Sequence, residues 1–221
     1  MANLIFDLDG TLIDSAPDLH AAAALVLREE AQEPLDLATI RSFIGNGVPV
    51  LVERIMQRVF GTVDPVRHGV LEKRFMAHYE AAPTALTRFY PGVDHALKTL
   101  VTQGHLLALC TNKPAAISRA ILRDLGIAGH FGAVIGGDTL SARKPDPAPL
   151  HAAIDALGDK DAPSLYVGDS EIDAKTAHAA GLPFLLFTKG YRNVPVTELR
   201  FAASFEHFDE LPSLVAAQLE G

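Results

Sequence analysis

The apolar positions of the chain fall into short runs and longer periodic segments. Short apolar runs occur at 4–6, 106–110, 133–135, 164–167 and 184–187. Runs of this length between turn signals are typical of buried strands. From residue 93 onward they alternate with segments of helical periodicity, and strands that alternate with helices form parallel sheets. The pattern therefore predicts a doubly wound α/β core with five strands, followed by a last amphipathic helix at about 209–219.

A block without strands interrupts this pattern after the first apolar run. Apolar residues recur at helical spacing over about 16–31, 48–60 and 65–82, and residues 37–43 form a further short segment between them. Prolines and glycines separate the segments. The sequence therefore predicts an α/β core made of residues 1–15 and 87–221, with an all-helical insertion at 16–86.

Length and charge exclude several classes of function. The net charge of −8 argues against a nucleic-acid surface, because binding to phosphate backbones requires a cluster of Lys or Arg. No segment approaches the ~20 apolar residues of a membrane span. The N-terminus has no basic region followed by an apolar run. Cys110 is the single cysteine and cannot form an internal disulfide, so a cytoplasmic location is expected.

Two aspartates, Asp7 and Asp9, follow the first apolar run directly. Residues i and i+2 of an extended chain point to the same face, so both carboxylates reach one small volume before Gly10 permits a turn. Two like charges this close require a cation or a proton. The pair therefore indicates a chemical site, and the alternative interpretation is an Asp-rich turn after a strand.

Polar residues also follow the second, third and fourth predicted strands. Thr111 and Asn112 close the second, where a hydroxyl and backbone amides can bind phosphoryl oxygens. Lys144 follows the third, and the proline after it restricts its backbone to extended geometry. After the fourth, Asp169 can ligate a hard cation, and Asp173, one helical turn on, can orient that site. Helix capping is the alternative interpretation of the first and last of these clusters.

The segment 7–15, Asp-Leu-Asp-Gly-Thr-Leu-Ile-Asp-Ser, resembles the first signature of the haloacid dehalogenase-like superfamily, in its phosphatase and phosphomutase branch. The three later clusters resemble its remaining signatures and occur in the same order. The resemblance implies a Rossmann-like core whose inserted helical cap covers the active site and selects the substrate.

For the site itself, the resemblance implies that Asp7 is a nucleophile that becomes a transient aspartyl phosphate. Asp9 would be the general acid and base, and Lys144 would neutralise charge on the nucleophile and the phosphate. The implied cofactor is Mg²⁺, which prefers oxygen ligands. Its ligands would be side-chain oxygens of Asp7 and Asp169 and the backbone carbonyl of Asp9. Two further aspartates are expected to support the site from outside the ligand set: Asp14 and Asp173.

Three consecutive cap residues are the expected substrate contacts: Gly45, Asn46 and Gly47. Two glycines around a polar side chain permit close backbone approach at a helix start. The alternative is a helix–helix turn with Asn46 as the N-cap. Arg143 is expected to be solvated or to reach the substrate only at the rim. Residues 43–49 and 89–93 are similar to phosphoglycolate phosphatases, so the implied substrate is 2-phosphoglycolate.

Three other functions stay open at this point. A phosphosugar mutase would use the same phosphoenzyme but return the phosphoryl group to a sugar. A pyrophosphatase or nucleotide phosphatase would share the hydrolytic chemistry. A noncatalytic regulator would keep only the fold, but a binding module has no need of a charge-crowded nucleophile. The expected partners are a small phosphorylated metabolite, with no nucleic acid and no membrane, and the protein is expected to be a monomer or homodimer.

Overall fold

The computed structural model of the protein describes residues 1–220, and its core is a six-stranded parallel sheet. Within these residues the strands, in chain order, are β1 (Asn3–Phe6), β2 (Ile13–Asp14), β3 (Arg88–Phe89), β4 (Leu106–Cys110), β5 (Phe131–Ile135), β6 (Ser164–Gly168), β7 (Phe184–Phe187) and β8 (Ala203–Phe205). Six of them form the sheet, in the spatial order β5-β4-β1-β6-β7-β8. The predicted doubly wound α/β class is confirmed.

Strand β1 lies in the centre of the sheet, paired in parallel with β4 and β6. Leu4 and Phe6 pack on one face and Ile5 on the other. Because helices cover both faces, every residue of this strand is buried. The chain continues to β4 and β5 on one side and to β6, β7 and β8 on the other. The carboxyl end of β1 is therefore a topological switch point, where such sheets bind ligands.

Helices within the described chain are α1 (Ala16–Glu29), α2 (Leu37–Phe43), α3 (Val48–Phe60), α4 (Pro65–Ala81), α5 (Val93–Thr102), α6 (Ala115–Asp124), α7 (Ala148–Leu157), α8 (Glu171–Ala180) and α9 (Leu211–Glu220). Helices α7 and α8 cover the face of the sheet that contains Ile5. Helices α5, α6 and α9 cover the opposite face, and buried residues of α1 to α4 belong to the same hydrophobic cluster.

Helices α1 to α4 are inserted between β2 and β3, which pair with each other as an antiparallel ribbon. Near the start of α1, the buried carboxylate of Asp18 accepts hydrogen bonds from the backbone amides of Leu86 and Thr87. The two chain connections to the helical block are therefore tied together at one point. The domain division at residues 15/16 and 86/87 stays a prediction.

The predicted number of strands was wrong. Strand β8 extends the sheet at its edge, and β2 and β3 form the small ribbon, so three strands were missed. These strands have only two or three residues each, too few for an apolar pattern to indicate them. Within residues 1–220 no helix combines the length and apolar character that crossing a membrane requires.

Candidate active site

The candidate active site lies at the carboxyl end of the sheet and is centred on Lys144. Its ammonium lies 2.9 Å from Oδ1 of Asp7, directly after β1, and 2.7 Å from Oδ1 of Asp173 in α8. It also donates a hydrogen bond of 2.8 Å to the hydroxyl of Tyr166 in β6. All four side chains are buried. Three side chains from separate parts of the chain thus converge on the Lys144 ammonium.

Asn112 fixes the backbone of Lys144. Its Oδ1 accepts a hydrogen bond from the Lys144 amide at 3.0 Å, and its Nδ2 donates to the carbonyls of Lys144 and of Gly45 in the cap. The Asn112 side chain is thus engaged with backbone, and neither it nor Thr111 caps α6, whose N-cap is Pro114. Thr111 is buried beside Asp7 in the lining of a cavity. The substrate contacts assigned to these two residues stay predictions.

Asp169 follows β6 and is held by neutral donors alone. The Thr11 hydroxyl donates to Oδ1 at 2.7 Å and the Tyr191 amide to Oδ2 at 2.6 Å. Gly10 packs directly against this carboxylate: a Cβ atom there would lie 2.6 Å from Oδ2 of Asp169, and φ at Gly10 is +87°. The turn after Asp9 therefore requires glycine both for its backbone conformation and for space.

Asp173 combines the two roles that the sequence left as alternatives. It forms a capping box with Ser170 at the start of α8, and its Oδ2 accepts from the backbone amides of Asp169 and Ser170. Its Oδ1 accepts from Lys144 and from the Tyr166 hydroxyl. Both oxygens are therefore occupied, and these contacts fit an orienting role better than direct ligation of a metal.

Three buried carboxylates, those of Asp7, Asp169 and Asp173, have oxygens that all lie within 4.8 Å of one another. Within the described chain, Lys144 is their one cationic partner. Oδ1 of Asp7 has no hydrogen-bond donor there, since Lys144 approaches it outside hydrogen-bonding geometry. A buried oxygen without a donor and an excess of negative charge fit a hard cation.

Burial and the excess of negative charge also shift the pKa values of Asp7 and Asp169. Burial raises the pKa of the Asp7 carboxyl to about 6, although the charge of Lys144 opposes the shift. Burial and the charges of Asp173 and Asp7 raise the pKa of Asp169 well above its ordinary value. The negative charge of Asp7 and Asp169 is thus only partly compensated, which is consistent with their prediction as metal ligands. The third predicted ligand, the backbone carbonyl of Asp9, stays a prediction.

Asp9 has a cationic partner that the sequence interpretation missed. The buried ammonium of Lys113 donates to both carboxylate oxygens of Asp9, at 2.8 and 2.7 Å, and the Ser15 hydroxyl donates to Oδ1. The Lys113 ammonium also lies 4.8 Å from the ring centroid of Tyr79 in the cap. Burial alone would lower the pKa of Lys113. The negative charge of the Asp9 carboxylate has the larger effect, so the pKa of this lysine is raised. The available signal was its position directly after Thr111 and Asn112.

The three predicted cap residues lie over the site. Gly45 and Gly47 line a cavity together with Asp7 and Asp9. Asn46 lines a small neighbouring cavity that includes Asp169. Gly47, rather than Asn46, is the N-cap of α3, and no side chain caps this helix, so the capping interpretation of Asn46 is wrong.

Two predicted residues lie farther out. Arg143 is exposed, with its guanidinium beside Gly47 at the rim. Asp14 accepts a hydrogen bond of 2.6 Å from the hydroxyl of Tyr191, the residue whose amide binds Asp169. It also forms a 3.1 Å ion pair with Arg41 of the cap. Asp14 therefore supports the candidate metal site through one intermediate residue, and connects it to the cap.

Known proteins resemble this chain in both sequence and structure. The family described as haloacid dehalogenase-like hydrolase matches residues 4–187. A phosphoglycolate phosphatase from Cereibacter sphaeroides is 56% identical over 97% of this chain and 98% of its own length. One from Rhodobacter capsulatus is 43% identical over 96% and 95%. The crystal structure titled "a predicted phosphoglycolate phosphatase" from Haemophilus somnus 129PT matches with a TM-score of 0.90 at 30% identity, covering 97% of this chain and 98% of that one.

Proposed function

Because this chain belongs to the haloacid dehalogenase-like hydrolase family, we propose that it is a Mg²⁺-dependent phosphatase that converts 2-phosphoglycolate to glycolate and phosphate. The observation that carries the proposal is the buried cluster at the end of β1, in which Asp7 faces Lys144 while Asp9 lies in the same cavity. The names of the Cereibacter and Rhodobacter relatives support the choice of substrate.

Asp7 is the proposed nucleophile. One carboxylate oxygen attacks phosphorus, and the bond from phosphorus to the glycolate oxygen breaks. Lys144, 2.9 Å from Oδ1 of Asp7, offsets the negative charge that would otherwise repel the phosphate ester. Its contacts with Asp173 and Tyr166 hold the ammonium in place before substrate arrives, so little reorganisation is needed.

Asp9 is the proposed general acid and base. Its proton passes to the glycolate oxygen as that oxygen leaves, and Asp9 then removes a proton from the water that attacks the aspartyl phosphate. The water oxygen bonds to phosphorus, the bond from phosphorus to Asp7 breaks, and phosphate and the free carboxylate result. Lys113 and Ser15 orient the Asp9 side chain for both steps.

Asp7 and Asp169 would hold the metal ion, since Oδ1 of Asp7 has no hydrogen-bond donor and Asp169 has no cationic partner in the described chain. When bound, Mg²⁺ would polarise a phosphoryl oxygen and offset the charge of the phosphate and of the carboxylates. Asp173 and Thr11 keep the side chains of Lys144 and Asp169 in position around it.

The test is phosphate release with Mg²⁺ across a panel of 2-phosphoglycolate, sugar phosphates, nucleotides and pyrophosphate. We expect a large preference for 2-phosphoglycolate, with Asp7→Asn inactive and Asp161→Asn, a change at an exposed site, fully active. A preference for another compound of the panel would show that 2-phosphoglycolate is not the substrate. Isomerisation of a sugar phosphate without net phosphate release would favour a mutase, and activity retained in a folded Asp7→Asn variant would overturn the mechanism.

A further inference from the structure

The cavity beside Asp9 has one cationic side chain in its described lining, and that side chain is Lys113. Four aliphatic side chains of the cap also line this cavity: Leu19, Ile44, Val48 and Leu51. The remaining lining is the two aspartates, Thr111, Asn112 and two cap glycines. A ligand in this cavity therefore meets a single positive charge, placed directly next to the proposed acid.

We propose that Lys113 binds the carboxylate of the substrate and makes the enzyme selective for phosphate esters of small 2-hydroxy acids over esters of uncharged alcohols. This inference rests on the proposed function, because it concerns the part of the substrate that does not react. It gives Lys113 a specificity-determining role in addition to its contact with Asp9.

The donor count of the ammonium supports this role. A lysine ammonium has three N–H donors, and two of those on Lys113 are used by the oxygens of Asp9. The third N–H makes no contact with a carboxylate and can turn to an anion in the cavity without breaking either bond to Asp9. Tyr79, whose ring centroid lies 4.8 Å from Nζ, helps to keep the ammonium charged from the cap side.

The chemistry of the ester supports the same placement. Asp9 must contact the oxygen that leaves with glycolate, and the substrate carboxylate is bonded to the carbon that carries this oxygen. A cation that touches Asp9 at 2.7 Å therefore lies within reach of that carboxylate. A charge-assisted hydrogen bond inside a largely apolar cavity is stronger than one in water.

Neither of the other nearby cations is suited to this task. Lys144 is already engaged by Asp7, Asp173 and Tyr166. Arg143 is exposed at the rim, beside Gly47. Lys113 is the buried cation whose remaining donor is not committed.

The experiment compares kcat/KM for 2-phosphoglycolate with kcat/KM for 2-hydroxyethyl phosphate, which lacks the carboxylate. The variant is Lys113→Met, which keeps an unbranched side chain, and the matched control is Lys73→Met at an exposed site in the cap. The wild type and the control should prefer 2-phosphoglycolate by at least about 100-fold, and Lys113→Met should lose most of this ratio. A change in the ratio is specific, since loss of support for Asp9 lowers both rates together.

An unchanged ratio with both rates reduced would overturn the inference and leave Lys113 as a positioning residue for Asp9. If the wild type releases no phosphate from 2-phosphoglycolate, the proposed function itself has failed, so the two failures are distinguishable. If the Lys113→Met variant does not fold, inhibition of the wild type by two phosphonates provides a second test. Inhibition by 3-phosphonopropionate should be at least about tenfold tighter than by propylphosphonate, and equal inhibition by the two would overturn the carboxylate site.

Discussion

The hydroxyl of Tyr166 is the neutral group that connects the two charged partners at the centre of the site. It accepts a hydrogen bond from Lys144 at 2.8 Å and donates one to Asp173 at 2.7 Å. Each is a hydrogen bond to a charged, buried group, the kind that contributes most to stability. The position of Lys144 against Asp7 therefore depends on a residue that takes no part in the reaction.

We expect Tyr166→Phe to lower the free energy of unfolding by about 2 kcal/mol, because Lys144 and Asp173 each lose a buried partner. Urea unfolding followed by circular dichroism measures the change. The matched control is Tyr79→Phe, because the buried Tyr79 hydroxyl has no hydrogen-bond partner in the described chain and its removal should cost little. Equal losses in the two variants would contradict the role given to the Tyr166 hydroxyl.

Single residues show how far the sequence could be interpreted. Asp7, Asp9, Lys144 and Asp169 could be predicted because each follows a short apolar run, Lys144 after an intervening loop, and strand ends in such a sheet meet at one edge. Lys113 also lies at a strand end, directly after Thr111 and Asn112, but its position does not specify that its side chain pairs with Asp9 rather than with another carboxylate of the site.

At the scale of secondary-structure elements, helix α2 of the cap contacts the core through side chains of both parts. Arg41 of α2 forms the ion pair with Asp14, and Nδ2 of Asn193 in the core donates to the carbonyl of Ser42. Nδ2 of Asn112 donates to the carbonyl of Gly45, just after α2. Three separate contacts thus hold α2 and Gly45, the first of the predicted substrate contacts, against the core.

We expect Arg41→Ala to raise KM for 2-phosphoglycolate by up to about fivefold with kcat nearly unchanged. A partly exposed ion pair contributes about 1 kcal/mol at most, and its loss lowers the fraction of molecules with the cap in place. Steady-state kinetics measures both constants. The control is Arg74→Ala, which removes ion pairs between α4 and the end of α1 within the cap alone. The same rise in KM in both variants would refute a specific contact between cap and core.

The elements themselves differed in how well the sequence indicated them. Helices α2 and α3 have the predicted bounds, and α1 and α4 end within two residues of the prediction, because proline or glycine follows each segment. Strands β2, β3 and β8 escaped detection, since pairing with a neighbour rather than an apolar run defines them. The closeness of α2 to Asp14 could not be predicted, because it depends on how the cap packs on the core.

The molecule as a whole has a net charge of −8, and its candidate site brings three buried carboxylates together with one lysine. Such a cluster opposes folding when no further cation is bound, because each buried carboxylate is exposed to the charge of its neighbours. Mg²⁺ should therefore bind the folded chain in preference to the unfolded one. We therefore expect stability and activity to depend on the same ion.

We expect saturating Mg²⁺ to raise the free energy of unfolding, by about 2.7 kcal/mol at 100 times its Kd, and chelation to reverse the change. Asp169→Asn should abolish this response. Without Mg²⁺ the variant should be at least as stable as the wild type, because it removes a buried charge facing Asp173 and Asp7. Thermal unfolding with and without EDTA measures both effects, with Asp161→Asn as the control. An equal response to Mg²⁺ in all three proteins would place the ion elsewhere.

The most direct test of the central claim is chemical identification of the phosphoryl carrier. Enzyme turning over ³²P-labelled 2-phosphoglycolate with Mg²⁺ is quenched in acid, reduced with borohydride and mapped by mass spectrometry. The account predicts an acid-stable, hydroxylamine-sensitive label and conversion of residue 7 alone to homoserine, with neither seen in Asp7→Asn. Steady phosphate release from 2-phosphoglycolate with Asp7 unmodified at every quench time would contradict it.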